Sequence, residues 1–227
     1  MTKVFISVGH GGSDPGAFAN GLKEKDLNLV VALKLNEELL RHGITTLMSR
    51  SKDEEDNTKI VECNKFKPDI CVDVHFNAGK GDGFEAFCSI FGNEGKKLAQ
   101  LIEAEVKAIG QNSRGVKTKK NSNGRDYYAM IRETSCPTVI LEGAFLDSAD
   151  YKFVDTKAEQ EALGVAYAKG ILKYFGISYK VKEEPKPTSN KLYRVQVGAY
   201  KDYKNAEAML TKVKAAGFKD AFIKESE

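Results

Sequence analysis

Apolar and polar positions change period repeatedly along the first 175 residues of this chain. Val4–Val8 is a short β-branched run that stops at Gly9-His10-Gly11-Gly12, which predicts a strand opening into a glycine-rich loop. Loop residues continue through Asp14, Pro15, Gly16 and Asn20-Gly21. From Asp26 the spacing becomes helical: Leu27, Val31, Leu35 and Leu39 recur every four residues, Val30 and Leu40 widen the stripe, and Gly43 stops it. Ile44–Met48 reads as a second strand, Lys59–Phe66 as a weaker helix ending before Lys67-Pro68, and Asp69–Phe76 as an alternating third strand. Gly83–Phe91 predicts another strand, and Glu94–Ile109 a helix with Leu98, Leu101, Ile102, Val106 and Ile109 inward. Val116–Thr118, Tyr127–Ile131 and Thr138–Leu141 read as short strands around a polar loop, and Lys157–Phe175 as a last helix before Gly176. Strands alternating with helices predict an α/β fold: a twisted, mainly parallel sheet with helices on both faces.

Composition shifts after that. Val181–Asn190 (VKEEPKPTSN) carries two prolines, four charges and one aliphatic residue, the signature of a solvated linker. Lys191–Glu227 resumes order, with Leu192–Val197 as strand, Asn205–Ala216 as helix and Ala221–Ile223 as strand. The expected division is therefore a domain over 1–178, a linker over 179–190 and a small C-terminal β-α-β unit over 191–227.

The net charge of +3 belongs to the tail: residues 176–227 hold 11 Lys/Arg against 7 Asp/Glu, and the remainder holds 24 against 25. A solvated basic face accounts for this, and no motif supports a nucleic-acid partner. Four cysteines without a CxxC pair argue for reduced structural thiols rather than disulfides or a cysteine metal cluster. No stretch approaches the length of a membrane span, and the apolar run after Met1 is too short for a signal-peptide core. The expectation is a protein that stays in the cytoplasm, without a signal peptide, until the membrane is breached or the cell lyses.

Three histidines are present. His42 closes a helix, where a cation suits the macrodipole. His10 and His75 instead end predicted strands, and in an open parallel sheet ligands bind beyond the carboxyl ends of strands. Two imidazoles need a further ligand to hold Zn²⁺, with one position left open for catalysis. Glu24, in the polar loop before the first helix, is in reach of the His10 loop. Glu142 follows the apolar run Pro137–Leu141, and a carboxylate at an apolar strand end is placed for a raised pKa and for proton transfer. The composite is a His10/Glu24/His75 metal site with Glu142 as proton shuttle, and the implied chemistry is hydrolysis. Each residue alone also has a bland reading: a satisfied structural histidine, a surface charge in Lys23-Glu24-Lys25, a carboxylate on a neighbouring amide. The competing motifs fail. Asp14 occupies the third glycine position of GxGxxG, no phosphate-binding GK[ST] loop occurs, and Cys136 lacks a nearby histidine.

Four segments in order, VFISVGHGGSDPGA, GLKEKDLNLVVALKL, KPDICVDVHFNAG and YYAMIRETSCPTVILEGAFLDSADY, resemble the zinc-dependent N-acetylmuramoyl-L-alanine amidases across most of residues 3–175. The resemblance implies zinc ligands at His10, Glu24 and His75, a catalytic glutamate at Glu142, and a substrate contact at Asn77. It also implies cleavage of the amide between N-acetylmuramic acid and L-alanine in peptidoglycan, the partner polymer of glycan strands and stem peptides. The short span from Arg50 to Pro68 and Gly143-Ala144 depart from the family pattern without touching a ligand position. The tail, through YRVQVGAY, Asn205-Ala206-Glu207-Ala208 and Ala221–Lys224, resembles one of the two repeats of a SPOR peptidoglycan-binding module. A half module implies either glycan binding or a homodimer through the C-terminal unit. Two other functions stay open: a catalytically silent wall-binding protein, and a zinc carboxypeptidase acting on stem peptides. The usual H-x-x-E pair of the latter is missing, since Ser13 and Ala78 stand three residues after His10 and His75.

Overall fold

The computed structural model describes residues 2–55, 58–181 and 195–225. The chain forms two compact units, Met1–Lys180 and Val181–Glu227. In the first, the strands are β1 (Lys3–Val8), β2 (Phe18–Ala19), β3 (Leu22–Lys23), β4 (Thr45–Met48), β5 (Ile70–Asn77), β6 (Phe84–Cys88), β7 (Ser113–Lys117) and β8 (Thr138–Phe145). The helices are α1 (Glu24–Arg41), α2 (Lys59–Phe66), α3 (Asn93–Ala108), α4 (Ala129–Glu133) and α5 (Lys157–Tyr174), with a 3-10 turn at Ala149–Phe153. Six strands make one sheet in the order β4-β1-β5-β8-β6-β7. β4, β1, β5 and β8 run parallel, while β6 lies antiparallel to β8 and parallel to β7. The sheet is thus mostly parallel, as the alternation of elements requires. Asn20-Gly21 turns the small β2–β3 hairpin, a pairing that this dipeptide between two short apolar stretches signals.

Alternation within the strands divides the sheet into two unlike faces. Ile70, Val72, Val74 and Phe76 of β5, Val139 and Leu141 of β8, and Phe84 and Ala86 of β6 face a core closed by α1, α3 and α5. On the other face Phe5 and Cys71 pack with Cys63 of α2 and Met130 of α4. These two helices have only eight and five residues. They cover the end of the face where β1 and β5 begin, and the polar residues toward the carboxyl ends of the strands are left with less covering. All four cysteines are free thiols.

Several expectations need correction. Tyr127–Ile131 is not a strand: Ala129–Glu133 is helical, with Arg132 Nη1 donating to the carbonyls of Asp126 and Tyr127. A five-residue apolar run cannot be told from a buried helical turn by period alone. Leu40 lies 52% exposed, outside the α1 stripe. His42 caps α1 at its C-terminal end, with its Nδ1 2.7 Å from the Glu38 carbonyl oxygen, its Nε2 accepting from the Lys180 amide and its ring stacked on Tyr179. Packing therefore continues through Lys180, past the expected start of the linker.

In the second unit the helix forms, as α6 (Tyr203–Ala215), capped by Asp202. The expected linker from 182 and the start of the strand, Leu192–Arg194, lie outside the described residues. Val195–Val197 and Ala221–Ile223 carry no strand pairing. Two short strands make a marginal sheet without a third to flank them. Among the described residues no helix is long and apolar enough to cross a membrane.

Asp150 ties the strand ends beneath the open face together. Its Oδ2 accepts from the amides of Gly83 and Phe145, and its Oδ1 from Gln111 Nε2. Asp150→Ala leaves these buried donors orphaned and should cost about 3 kcal/mol, at roughly 1–3 kcal/mol for each unsatisfied group. Urea unfolding of the two proteins measures it, and a loss below about 1 kcal/mol would mean that water replaces the carboxylate.

Candidate metal centre

The order β4-β1-β5 records a reversal in the winding: the chain leaves β1 for β4 on one side, then returns to β5 on the other. The crevice at such a switch point lies between the carboxyl ends of β1 and β5. His10 follows β1, and His75 lies near the end of β5, so both imidazoles are delivered there.

His10 has a φ of 58°, and its ring stands edge-on to that of His75 with the centroids 5.0 Å apart. The backbone beneath has no room for a side chain at Gly9, where a Cβ would come within 2.4 Å of His75 Cε1. Gly16, at φ 65°, is similarly close, since a Cβ would meet Glu24 Oε2 and His10 Cδ2 at 2.6 Å. Asn28 Nδ2 and the buried Arg50 guanidinium donate to the Gly9 carbonyl, and Arg50 also holds the carbonyls of Lys25 and Lys52. Arg50 thereby fastens the ends of β1, β4 and the start of α1 to one another.

Glu24 stands at the middle. It is the first residue of α1 rather than part of the preceding loop, and only 4% exposed. Oε1 accepts from His75 Nδ1 at 2.8 Å and the Phe76 amide at 3.0 Å. Oε2 accepts from the Ala17 amide at 2.9 Å and faces His10 Nε2 at 3.2 Å. One ligand atom from each of His10, Glu24 and His75 can be chosen so that all lie within 4.8 Å of one another. Two imidazoles and a carboxylate, with further positions open, form the donor set of a catalytic site for a borderline divalent ion.

Each imidazole has a second carboxylate on its far nitrogen. Asp14 Oδ2 lies 2.7 Å from His10 Nδ1, and Asp73 Oδ2 lies 3.5 Å from His75 Nε2. Asp73 is itself held by the Ser7 hydroxyl. A carboxylate behind a histidine fixes the tautomer and sharpens the facing nitrogen as a ligand. The hydrogen bond to Glu24 raises the His10 pKa, Asp14 adding to it. Burial lowers that of His75, but Asp73 and Glu24 outweigh it and lift it to about 10. Burial would raise Glu24, yet the two histidines hold it far below the usual carboxylate range. This cluster is built to hold positive charge, as protons or as a metal ion.

Glu142 does not lie beyond a strand end. β8 continues to Phe145, paired with β5, so Glu142 sits within the sheet, opposite His75 on β5 and Glu85 on β6. Its Oε2 is buried with no hydrogen-bond partner among the described residues. Burial pushes its pKa up to about 7, and the neighbouring Glu24, Asp73 and Glu85 reinforce the shift against His75. Asn77 is half-buried beyond a bulge after His75; Oδ1 accepts from the Ala78 amide and Nδ2 approaches Glu85 Oε2 at 3.4 Å. Sequence reasoning brought His10, Glu24, His75 and Glu142 to one place but missed Asp14, Asp73, Arg50 and Glu85. Period two offered a signal for Asp73, which shares a strand face with His75.

A divalent ion needs unprotonated imidazoles. Loading the metal-free protein at pH 7 should therefore release about one to two protons per chain, read by calorimetry in buffers of differing ionisation enthalpy. No release would remove His75 from the ligand set. Asp14→Ala and Asp73→Ala should each weaken metal affinity by roughly 10–100-fold.

Comparison with known proteins identifies the family. Residues 4–173 match the N-acetylmuramoyl-L-alanine amidase family, and residues 167–225 match the SPOR domain. The two overlap at 167–173, where α5 is part of the first unit's core. The chain is 34% identical over 227 residues to the sporulation-specific N-acetylmuramoyl-L-alanine amidase of Bacillus subtilis (strain 168), covering 96% of this chain and 83% of that one. It is 34% identical over 212 residues to the endolysin of Bacillus phage SPP1, with 86% and 75% covered. Among solved structures, Cwp6 from Clostridium difficile superposes with a TM-score of 0.74 at 30% identity, over 76% of this chain and 29% of that one. With residues 4–173 matching the family's model and a relative 34% identical across 96% of this chain, the chain belongs to the N-acetylmuramoyl-L-alanine amidase family.

Proposed function

We propose that this protein hydrolyses the amide joining N-acetylmuramic acid to L-alanine in peptidoglycan, with Zn²⁺ held by His10, Glu24 and His75. The observation that carries the reading is the convergence of those three donors beside Glu142, whose Oε2 is buried without a hydrogen-bond partner among the described residues and whose pKa is pushed up to about 7. When bound, zinc supplies a Lewis acid for the amide carbonyl and lowers the pKa of a water molecule toward 7. Glu142 takes a proton from the attacking water as the new C–O bond forms. It then delivers that proton to the alanine nitrogen as the C–N bond breaks, releasing a free L-alanine amine and the muramic carboxylate. A pKa of about 7 suits both halves of this transfer. Asp14 and Asp73 keep the rings aimed, and Asn77 is assigned a contact to the substrate. A silent wall-binding protein would have no use for an unpartnered glutamate facing three converged donors.

The catalytic domain is assigned to the first unit, and wall binding to residues 191–227. No residue of α6 is buried; Ala206, Leu210 and Val213 are half-buried, and Val195, Val197, Phe218 and Phe222 are exposed. A second copy of the unit would cover this apolar surface with two-fold symmetry.

Glu142→Gln should retain zinc and lose about 10²–10⁴-fold in turnover, whereas Glu24→Ala should lose the zinc itself. Metal analysis of the purified variants, with mass spectrometry of digested walls for new amino-terminal alanine, measures both. Equal zinc loss would make Glu142 a ligand. The full chain should be a dimer and a chain ending at Lys180 a monomer that still cleaves soluble muropeptides. Light scattering across a concentration series decides it, and a full chain that stays monomeric at high micromolar concentration overturns the dimer.

A further inference from the structure

The row of side chains crossing the open face does not end at Glu142. The next residue in register is Glu85 of β6, 5% exposed. Its Oε1 accepts from both Arg114 Nε and Lys117 Nζ, which reach back from β7, the edge strand. Two cations on one carboxylate leave a net charge of +1. The cations are also the exposed members of the cluster, with 45% of the Arg114 side chain and 34% of that of Lys117 open to solvent. A brace between β6 and β7 would need only one of them. The Arg114 guanidinium lies over the Phe145 ring at 5.4 Å, which holds its plane in place. Asn77 Nδ2, beside His75 on β5, approaches the other oxygen of Glu85.

We propose that Arg114 and Lys117, held by Glu85, form a subsite that recognises a carboxylate on the second residue of the stem peptide. The proposal rests on the amidase reading above and names the part of the substrate that this site selects. Adjacent strands lie about 4.8 Å apart, and an extended peptide advances about 3.4 Å per residue. With the scissile amide over Glu142, a carboxylate on the residue after L-alanine therefore reaches the row of Glu85. In peptidoglycan that residue is D-glutamate joined through its side-chain carboxyl, so its backbone carboxylate is free or, in amidated walls, a carboxamide. A carboxylate can take charge-assisted hydrogen bonds from both cations; a carboxamide brings no charge and two donors that meet only donors.

The test compares two soluble substrates in which the glutamate side-chain carboxyl is joined as in the wall, N-acetylmuramoyl-L-alanyl-γ-D-glutamyl-L-lysine and its isoglutaminyl counterpart, with the zinc-loaded full chain. The wild type should favour the acid by about tenfold or more in kcat/KM, the scale of hydrogen bonds to a charged group. In the Arg114→Gln, Lys117→Gln double variant the ratio should fall to about one at equal zinc content. A wild-type ratio of one, or a double variant that weakens both substrates equally with the ratio kept, overturns the subsite and leaves the cations as a brace. Calorimetric binding of the two muropeptides to the zinc-loaded Glu142→Gln protein reads recognition apart from turnover. If the wild type cleaves neither substrate, the amidase reading fails. The subsite then stands on a binding preference for the acid and falls if the two bind equally.

Discussion

The contact on which the site depends is that of one buried carboxylate with two imidazoles. Glu24 is almost wholly removed from water, and a carboxylate so placed is costly unless its oxygens are paired. Its partners come from the β1 loop, from β5, and from the amides of Ala17 and Phe76. The start of α1, the end of β1 and the end of β5 are thereby fixed to one point. Supporting residues follow from that demand. Gly9 and Gly16 leave space for the rings, while Asn28 and Arg50 pin the Gly9 carbonyl so that the left-handed turn at His10 holds.

The same cluster explains the electrostatics. Asp14, Asp73, Glu24 and Glu142 surround two histidines, which gives the crevice a negative balance when its carboxylates are ionised. His75 responds by holding a proton well above its usual range, and Glu142 by keeping its own to about pH 7. A divalent ion at the three converged donors would supply positive charge there, and the two glutamates differ in their surroundings. Glu24 is bonded through both oxygens, whereas Glu142, one strand away, has a buried oxygen with no partner among the described residues.

The two sheet faces show why chemistry occurs on one side only. Three long helices seal one face with an apolar core, and helices of eight and five residues cover one end of the other. Strand parity then sorts the residues. In β5, Val72, Val74 and Phe76 go to the core, while Asp73, His75 and Asn77 go to the open face. In β6, Phe84 and Ala86 go to the core and Glu85 to the open face. A polar row across β5, β8 and β6 is the result.

Much of this was legible in the sequence because it depends on local rules. The four-residue spacing of Leu27, Val31, Leu35 and Leu39 specifies an inward helical face, alternation specifies β5, and the glycines after Val8 specify a loop where a strand ends. The four residues that meet at the centre could be named because strand ends in such a sheet converge, and because four segments resemble one family. The remainder was decided by tertiary structure. Ala129–Ile131 became helix, since one helical turn buries Met130 and Ile131 while Arg132 bonds back to the carbonyls that precede it. The length of β8 was set by pairing with β5, which carried Glu142 into the sheet. Asp14, Asp73 and Glu85 carry no local mark, since a carboxylate gains its role only from the ring or cation that the fold places against it. Sequence spacing determines which face a side chain takes; only packing determines what it meets there.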